Sequence, residues 1–117
     1  MVIKQGEIYW VNLGEPNGSE PGYMYPHIVI QNNLFNSSSI STVVVCSLTS
    51  NLKRGSSPGN VILKKGEANL PKTSVVNITQ IYTVDRNDLC EKIGTVNNDR
   101  VKEILSGIHL LTDPREL

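Results

Sequence analysis

Apolar and polar positions alternate along most of the chain, the period that a half-buried strand imposes. Residues 7–12 (Glu-Ile-Tyr-Trp-Val-Asn) predict a first strand. Pro26 opens a second at 27–32, since proline is tolerated at the first position of a strand. Residues 41–48, rich in β-branched side chains, predict a third strand buried on both faces. Shorter strands are predicted at 61–64, 74–77, 79–84 and 92–96, with a single helical turn at 85–89. Turn formers crowd the stretches between them, above all 14–25 and 51–60, and an irregular stretch as long as 14–25 is more often functional than idle. Only the tail has the helical period. Val101, Ile104, Leu105, Ile108 and Leu111 fall on one stripe, Asn97, Asn98 and Asp99 offer an N-cap, and Pro114 lies beyond the end. The pattern predicts a single domain over residues 1–117, mainly β, whose bent, barrel-like sheet is closed by a C-terminal helix.

Composition narrows the class. At 117 residues the chain is long enough to bury a core without staples. With 38% hydrophobic and 19% charged residues it fits neither a membrane protein nor a disordered one. The N-terminus lacks the apolar stretch of a signal peptide, so the cytosol is the expected compartment and no membrane contact is expected. Cys46 and Cys90 have no metal-ligand spacing and read as reduced thiols. Formal net charge is zero, which argues against a general nucleic-acid coat protein. The charges are nonetheless uneven. Residues 51–72 hold Lys53, Arg54, Lys64, Lys65 and Lys72 against Glu67 alone, so one basic segment could steer a polyanion to one face. The same segment also fits a solvated loop with ordinary surface lysines.

The usual enzyme signatures are missing: no phosphate-binding glycine loop, no dinucleotide fingerprint, no nucleophile elbow, no metal cluster. His109 reads as a surface residue of the tail helix. His27 is more informative, because Tyr25, His27, Val29 and Gln31 share a face by parity. Ser47 and Thr49 share an exit from the third strand into Ser50 and Asn51. A cleft between those strand ends would gather Tyr25, His27, Thr49 and Ser50, with Glu20 above. Cleaving RNA through its own 2′-hydroxyl needs a proton acceptor, protonation of the leaving oxygen and donors for developing negative charge, and this set could supply them without a metal. The residues also fit a half-exposed strand histidine and a threonine that merely ends its strand. Taken alone, they favour that plainer reading.

Order and spacing add more. The run Gly6-Glu7-Ile8-Tyr9-Trp10-Val11-Asn12-Leu13, then Gly18-Ser19-Glu20, then Pro26-His27-Ile28-Val29-Ile30-Gln31-Asn32, resembles the MazF/PemK family of toxin endoribonucleases. The likeness continues through Val45-Cys46-Ser47-Leu48-Thr49-Ser50-Asn51, Pro58-Gly59-Asn60-Val61, Ser74-Val75-Val76-Asn77 and Gln80-Ile81, and so spans essentially the whole chain. It implies a small SH3-like barrel of the MazF/CcdB type, a homodimer and cofactor-free, metal-independent cleavage of single-stranded RNA. The target would be messenger RNA or, as in some members, ribosomal RNA. It also implies a cognate antitoxin whose acidic tail covers the RNA groove, with operator DNA reached only through the antitoxin complex.

One position departs from the family pattern. The catalytic arginine that usually precedes the strand-opening proline is replaced by Tyr25, while Thr49 and Glu20 match the family's catalytic threonine and loop glutamate. Tyrosine can donate a hydrogen bond but lacks arginine's permanent charge and two-pronged grip on phosphate. The expectation is that His27 supplies the missing acid–base or cationic function and that Tyr25 orients phosphate or stacks on a base. Ser19, Gln31, Ser50, Asn51, Lys53, Arg54 and Gln80 are the expected RNA contacts. Two other readings follow from Tyr25 and the shared fold: a catalytically weak module binding RNA, DNA or antitoxin, and a CcdB-like inhibitor of a topoisomerase. The Gly18-Ser19-Glu20 and Thr49 motifs point away from the last.

Overall fold

The computed structural model describes residues 2–13 and 24–115. Ser19, Glu20 and most of the expected 14–25 turn region lie outside them. Six strands, β1 (Glu7–Asn12), β2 (Met24–Val29), β3 (Thr42–Thr49), β4 (Val61–Leu63), β5 (Ser74–Asp85) and β6 (Leu89–Thr95), form one antiparallel sheet in the order β4-β5-β3-β2-β1-β6. A one-turn helix α1 (Asn33–Asn36) follows β2, and α2 (Asn98–Thr112) closes the chain.

Alternation sends successive strand residues into two cores on opposite faces of the sheet. Ile8, Ile28, Cys46, Leu48, Val76, Ile78 and Ile104 form one; Tyr9, Val11, Val29, Val43, Val45 and Leu89 form the other. The expected burial of the third strand on both faces is met, because β3 feeds both clusters. The sheet curls into a half-barrel. Its β6 edge meets the turn at Glu67–Asn69 rather than β4. Gly94 lies so close to the Ala68 backbone that no Cβ would fit, and Asn69 Nδ2 donates to the Ile93 carbonyl at 3.2 Å. Arg100 in the first turn of α2 ties that turn down, with Nε 2.7 Å from Glu67 Oε2.

Four local expectations are corrected. β2 begins at Met24 and contains Pro26 rather than following it. The ring is accommodated because pairing with β3 starts one residue later, at His27 opposite Ser47, so no β3 bond is missing its N–H. The stretch at 33–39 holds α1, because the Asn32 side chain caps it by accepting from the Leu34 and Phe35 N–H groups. The two strands expected at 74–77 and 79–84 are one strand with a wide bulge. Ser47 alone separates the paired residues Cys46 and Leu48 of β3, whereas Asn77, Ile78, Thr79 and Gln80 separate their partners Val76 and Ile81. The helical stripe is only half used: Ile104 is buried, while Leu105 and Leu111 stay 38% and 46% exposed.

α2 approaches the turn before β4 at glycine-to-glycine distance. A Cβ on Gly107 would strike the Gly59 carbonyl oxygen and come within 3.1 Å of Ile78, and Gly59 itself has φ +80°. Only glycine at both positions lets helix and turn come this close.

Candidate active site

A groove of about 890 Å³ opens where β2, β3, the bulge of β5, the 51–60 connection and the end of α2 converge. The strand ends bring Tyr25, His27 and Thr49 to it, as parity requires, and the bulge adds Asn77 and Gln80. Asn51 and Arg54 come from the connection. Leu52–Ser56 is a 3-10 turn, capped by Asn51, whose side chain accepts from the Lys53 N–H at 3.2 Å.

Thr49 Oγ accepts the Asn51 N–H at 3.1 Å, which leaves its own O–H free to donate into the groove. Asn60 fixes the wall behind. Its Nδ2 donates to the Arg54 carbonyl at 2.9 Å and to Asn77 Oδ1 at 3.3 Å, and its Oδ1 accepts the Ile78 N–H at 2.9 Å. The turn carrying Arg54 is thereby bolted to the bulge of β5.

His27 lies at the floor and is 1% exposed. Its Nδ1 is 3.0 Å from the Tyr25 carbonyl, which can only accept, so the neutral ring carries its hydrogen on Nδ1 and its lone pair on Nε2. Nε2 is buried with no hydrogen-bond partner among the described residues. Burial pushes the His27 pKa below its ordinary 6.5, and the Tyr25 carbonyl only partly offsets this. His27 is therefore neutral at pH 7 and is not the groove's standing positive charge. Among the described residues lining the groove that charge belongs to Arg54, the one lysine or arginine there, and none of them is a carboxylate. The Tyr82 ring packs edge-on against His27, with centroids 5.8 Å apart, and its hydroxyl donates to Gln80 Oε1 at 2.7 Å.

Not every expected contact residue reaches the groove. Gln31 does not, because both ends of its amide are engaged beyond β2: Nε2 donates to Asn36 Oδ1 at 2.9 Å and Oε1 accepts the Val44 N–H at 3.2 Å. It follows the parity of Tyr25 and His27 but lies past the end of the strand, where it holds α1. Lys53 is exposed beside Arg54 without lining the groove, and Ser50 borders a second hollow instead. Ser19 and Glu20 lie outside the described residues. Tyr82, Asn77 and Asn60 were not among the expected site residues, although Asn60 and Asn77 stand in the quoted motifs. Tyr82 had a signal, since it stands two residues beyond Gln80 on the same face. Asn77 had one too, as a polar residue inside the apolar run 75–78.

A six-stranded antiparallel half-barrel with a C-terminal helix, and a groove at its strand ends that no carboxylate lines among the described residues, defines a small β-barrel domain. The chain belongs to the PemK-like, MazF-like toxins of type II toxin–antitoxin systems, whose family model matches residues 4–112. It is 40% identical over 113 residues to endoribonuclease MazF6 of Mycobacterium tuberculosis, covering 97% of this chain and 99% of that protein. To endoribonuclease MazF of Staphylococcus saprophyticus it is 32% identical over 109 residues, covering 93% and 90%. The same fold occurs in an endoribonuclease in complex with its cognate antitoxin from a mycobacterial species, with TM-score 0.77, 23% identity and 97% and 99% of the two chains covered. MazF from Deinococcus radiodurans also shares it, with TM-score 0.72, 24% identity and 95% and 96% covered.

Proposed function

We propose that this protein is an endoribonuclease toxin that cleaves single-stranded RNA by attack of a 2′-hydroxyl on the adjoining phosphate. The observation that carries the reading is His27, buried with its Nε2 lone pair unspent, at the floor of the groove that Thr49 lines. Nε2 takes the proton of the 2′-hydroxyl; the 2′-oxygen bonds to phosphorus and the bond to the 5′-oxygen breaks. The departing 5′-oxygen takes a proton from the solvent into which the groove opens, leaving a 2′,3′-cyclic phosphate and a 5′-hydroxyl. Thr49 donates to the charged phosphate oxygens, Tyr25 orients them, and the Arg54 guanidinium stabilises the charge that the family's arginine would meet from β2. The Tyr82 ring must swing aside for the substrate to reach Nε2. A duplex resists the in-line geometry of this attack, so single strands are the substrate.

Family membership and relatives named as endoribonucleases favour this reading over a catalytically weak binding module. A cognate antitoxin with an acidic tail neutralises the toxin by filling the same groove, where Arg54 stands with no carboxylate beside it among the described lining residues. The toxin works in the cytosol as a homodimer, with exposed apolar positions of α2 such as Leu105 between subunits.

The test is incubation with a long single-stranded RNA in EDTA, beside T49A and H27A. Discrete fragments ending in 2′,3′-cyclic phosphate, lost in both variants, support the mechanism. Loss in T49A alone removes His27 from it. RNA binding by the wild type without cleavage replaces the enzyme by a binding module.

A further inference from the structure

Tyr25 and Thr49 have a hollow on each side. Beyond them, away from the groove, lies a second and more enclosed one of about 210 Å³. Trp10 from β1, Pro26 from β2, Leu48 from the end of β3, Leu70 and Pro71 from the 64–73 connection and Ile93 from β6 make its walls. It is the mouth of the half-barrel, with Leu48 and Leu70 of the first core at its floor. Trp10 is directly opposite Pro26 in the sheet and only partly buried, so a flat indole and an apolar pyrrolidine ring stand together at the entrance. Ser50 and Lys72 supply the polar rim, and no carboxylate lines the hollow among the described residues.

We propose that this hollow binds an unpaired nucleobase of the RNA, that of the nucleotide on one side of the cleaved phosphate. The proposal rests on the functional reading above and names a subsite for it. If the scissile phosphate sits at Thr49 and Tyr25, its two flanking nucleotides fall to either side of them. One then lies in the main groove and the other at this mouth. Flat apolar walls accept the face of a base, a lysine at the rim meets the phosphate attached to it, and the absence of carboxylates suits a polyanion. Because the Tyr25–Thr49 ridge is common to both hollows, seating a base in the second also aligns the phosphate for in-line attack.

Trp10 is the only tryptophan of the chain, so its fluorescence reports this hollow alone. The wild type is first used to cleave a long RNA, and the nucleotides flanking the cut are sequenced. A short RNA of that sequence, with a 2′-deoxy nucleotide at the cut so that it cannot react, is then titrated into the intact protein. Quenching of Trp10 is expected, and it should weaken when the flanking nucleotide is made abasic. I93W, which fills the hollow, should lower kcat/KM by about 5- to 150-fold, the range of one base stack, and K72Q should lower kcat/KM and its dependence on salt. I93W should also relax the base preference on one flank only, a change that mere loss of folded protein would not produce. Cleavage with Trp10 silent to the short RNA and preference unchanged in I93W overturns the subsite and leaves the nuclease standing. Quenching by an acidic antitoxin-tail peptide but not by RNA also overturns it, assigning the hollow to a protein partner. Absence of any cleavage by the wild type overturns the functional reading, and the subsite with it.

Discussion

Replacing Gly107 by alanine sets two effects of known size against each other. Alanine is the better helix former by about 1 kcal/mol, and Gly107 lies well inside α2, so helix propensity alone predicts a more stable protein. The added methyl, however, meets the Gly59 carbonyl oxygen and the Ile78 side chain. Overpacking costs about 1–3 kcal/mol, and the upper end applies because the main obstacle is backbone, which no rotamer change removes. The net is a loss of about 2 kcal/mol, equivalent to a Tm lowered by about 6–12 °C for a domain of this size. Thermal denaturation followed by circular dichroism measures it, with S106A as a control at the neighbouring exposed position, which should melt at or slightly above the wild type. Since Gly59 adjoins Asn60 and Pro58 in the groove wall, RNA cleavage by the folded G107A protein should fall as well. A G107A protein that melts at or above the wild-type temperature would refute the close approach of helix and turn.

Three further outcomes are expected. Acid lability should trace in part to Glu7. Burial opposes its charge, but Lys92 at 2.7 Å, the Lys4 N–H and the Tyr9 hydroxyl outweigh it and hold its pKa below 4.5, so its contribution is full above that value and is lost as pH falls through the lower folded value. E7Q should lose about 1–3 kcal/mol at pH 7 in urea denaturation and show a shallower decline towards acid. The pH–rate profile should rise through an apparent pKa below 6.5 as the buried His27 loses its proton, and a rate that shows no acid limb down to the pH at which the protein unfolds would exclude it as the base. R54Q should cut kcat/KM by about 10- to 100-fold and reduce the slope of log K against log salt by about 0.7, read in RNA-binding titrations.

Local chemistry made some elements legible and long-range pairing hid others. The first strand is found at the residues its alternation predicts, and the tail helix at its apolar stripe and Asn97 cap, because both depend on neighbours a few residues away. The meeting of Tyr25, His27 and Thr49 was legible too, since strand parity and strand ends are local properties. The bulge of β5 was not. Nothing in Asn77–Gln80 tells which β3 residue they face, and only the pairing shows that Ser47 stands opposite all four. Arg54 was expected at the groove together with Lys53, but which of the two reaches it was hidden, because the Arg54 carbonyl is fixed by Asn60 and thence by a strand over twenty residues on. His27 was expected in the cleft, with a half-exposed strand position as the plainer alternative; it lines the groove and is buried. A single histidine in an apolar run carries no mark of which face a second core will cover.

Four residues of β5 that answer to one of β3 are released from the obligations of a ladder. Ile78 alone among them is committed to the core; Thr79 and Gln80 are exposed, and Asn77 is half-buried at the groove. Exchanging Thr79 or Gln80 therefore breaks no pairing with β3 and opens no cavity. The half-barrel would keep its architecture while the groove's edge changed its hydrogen-bonding face. Mutational drift can thus rewrite which RNA such a protein reads at almost no structural cost, and a library randomised at these two positions should yield folded proteins of altered sequence preference far more often than one randomised along the paired part of the same strand.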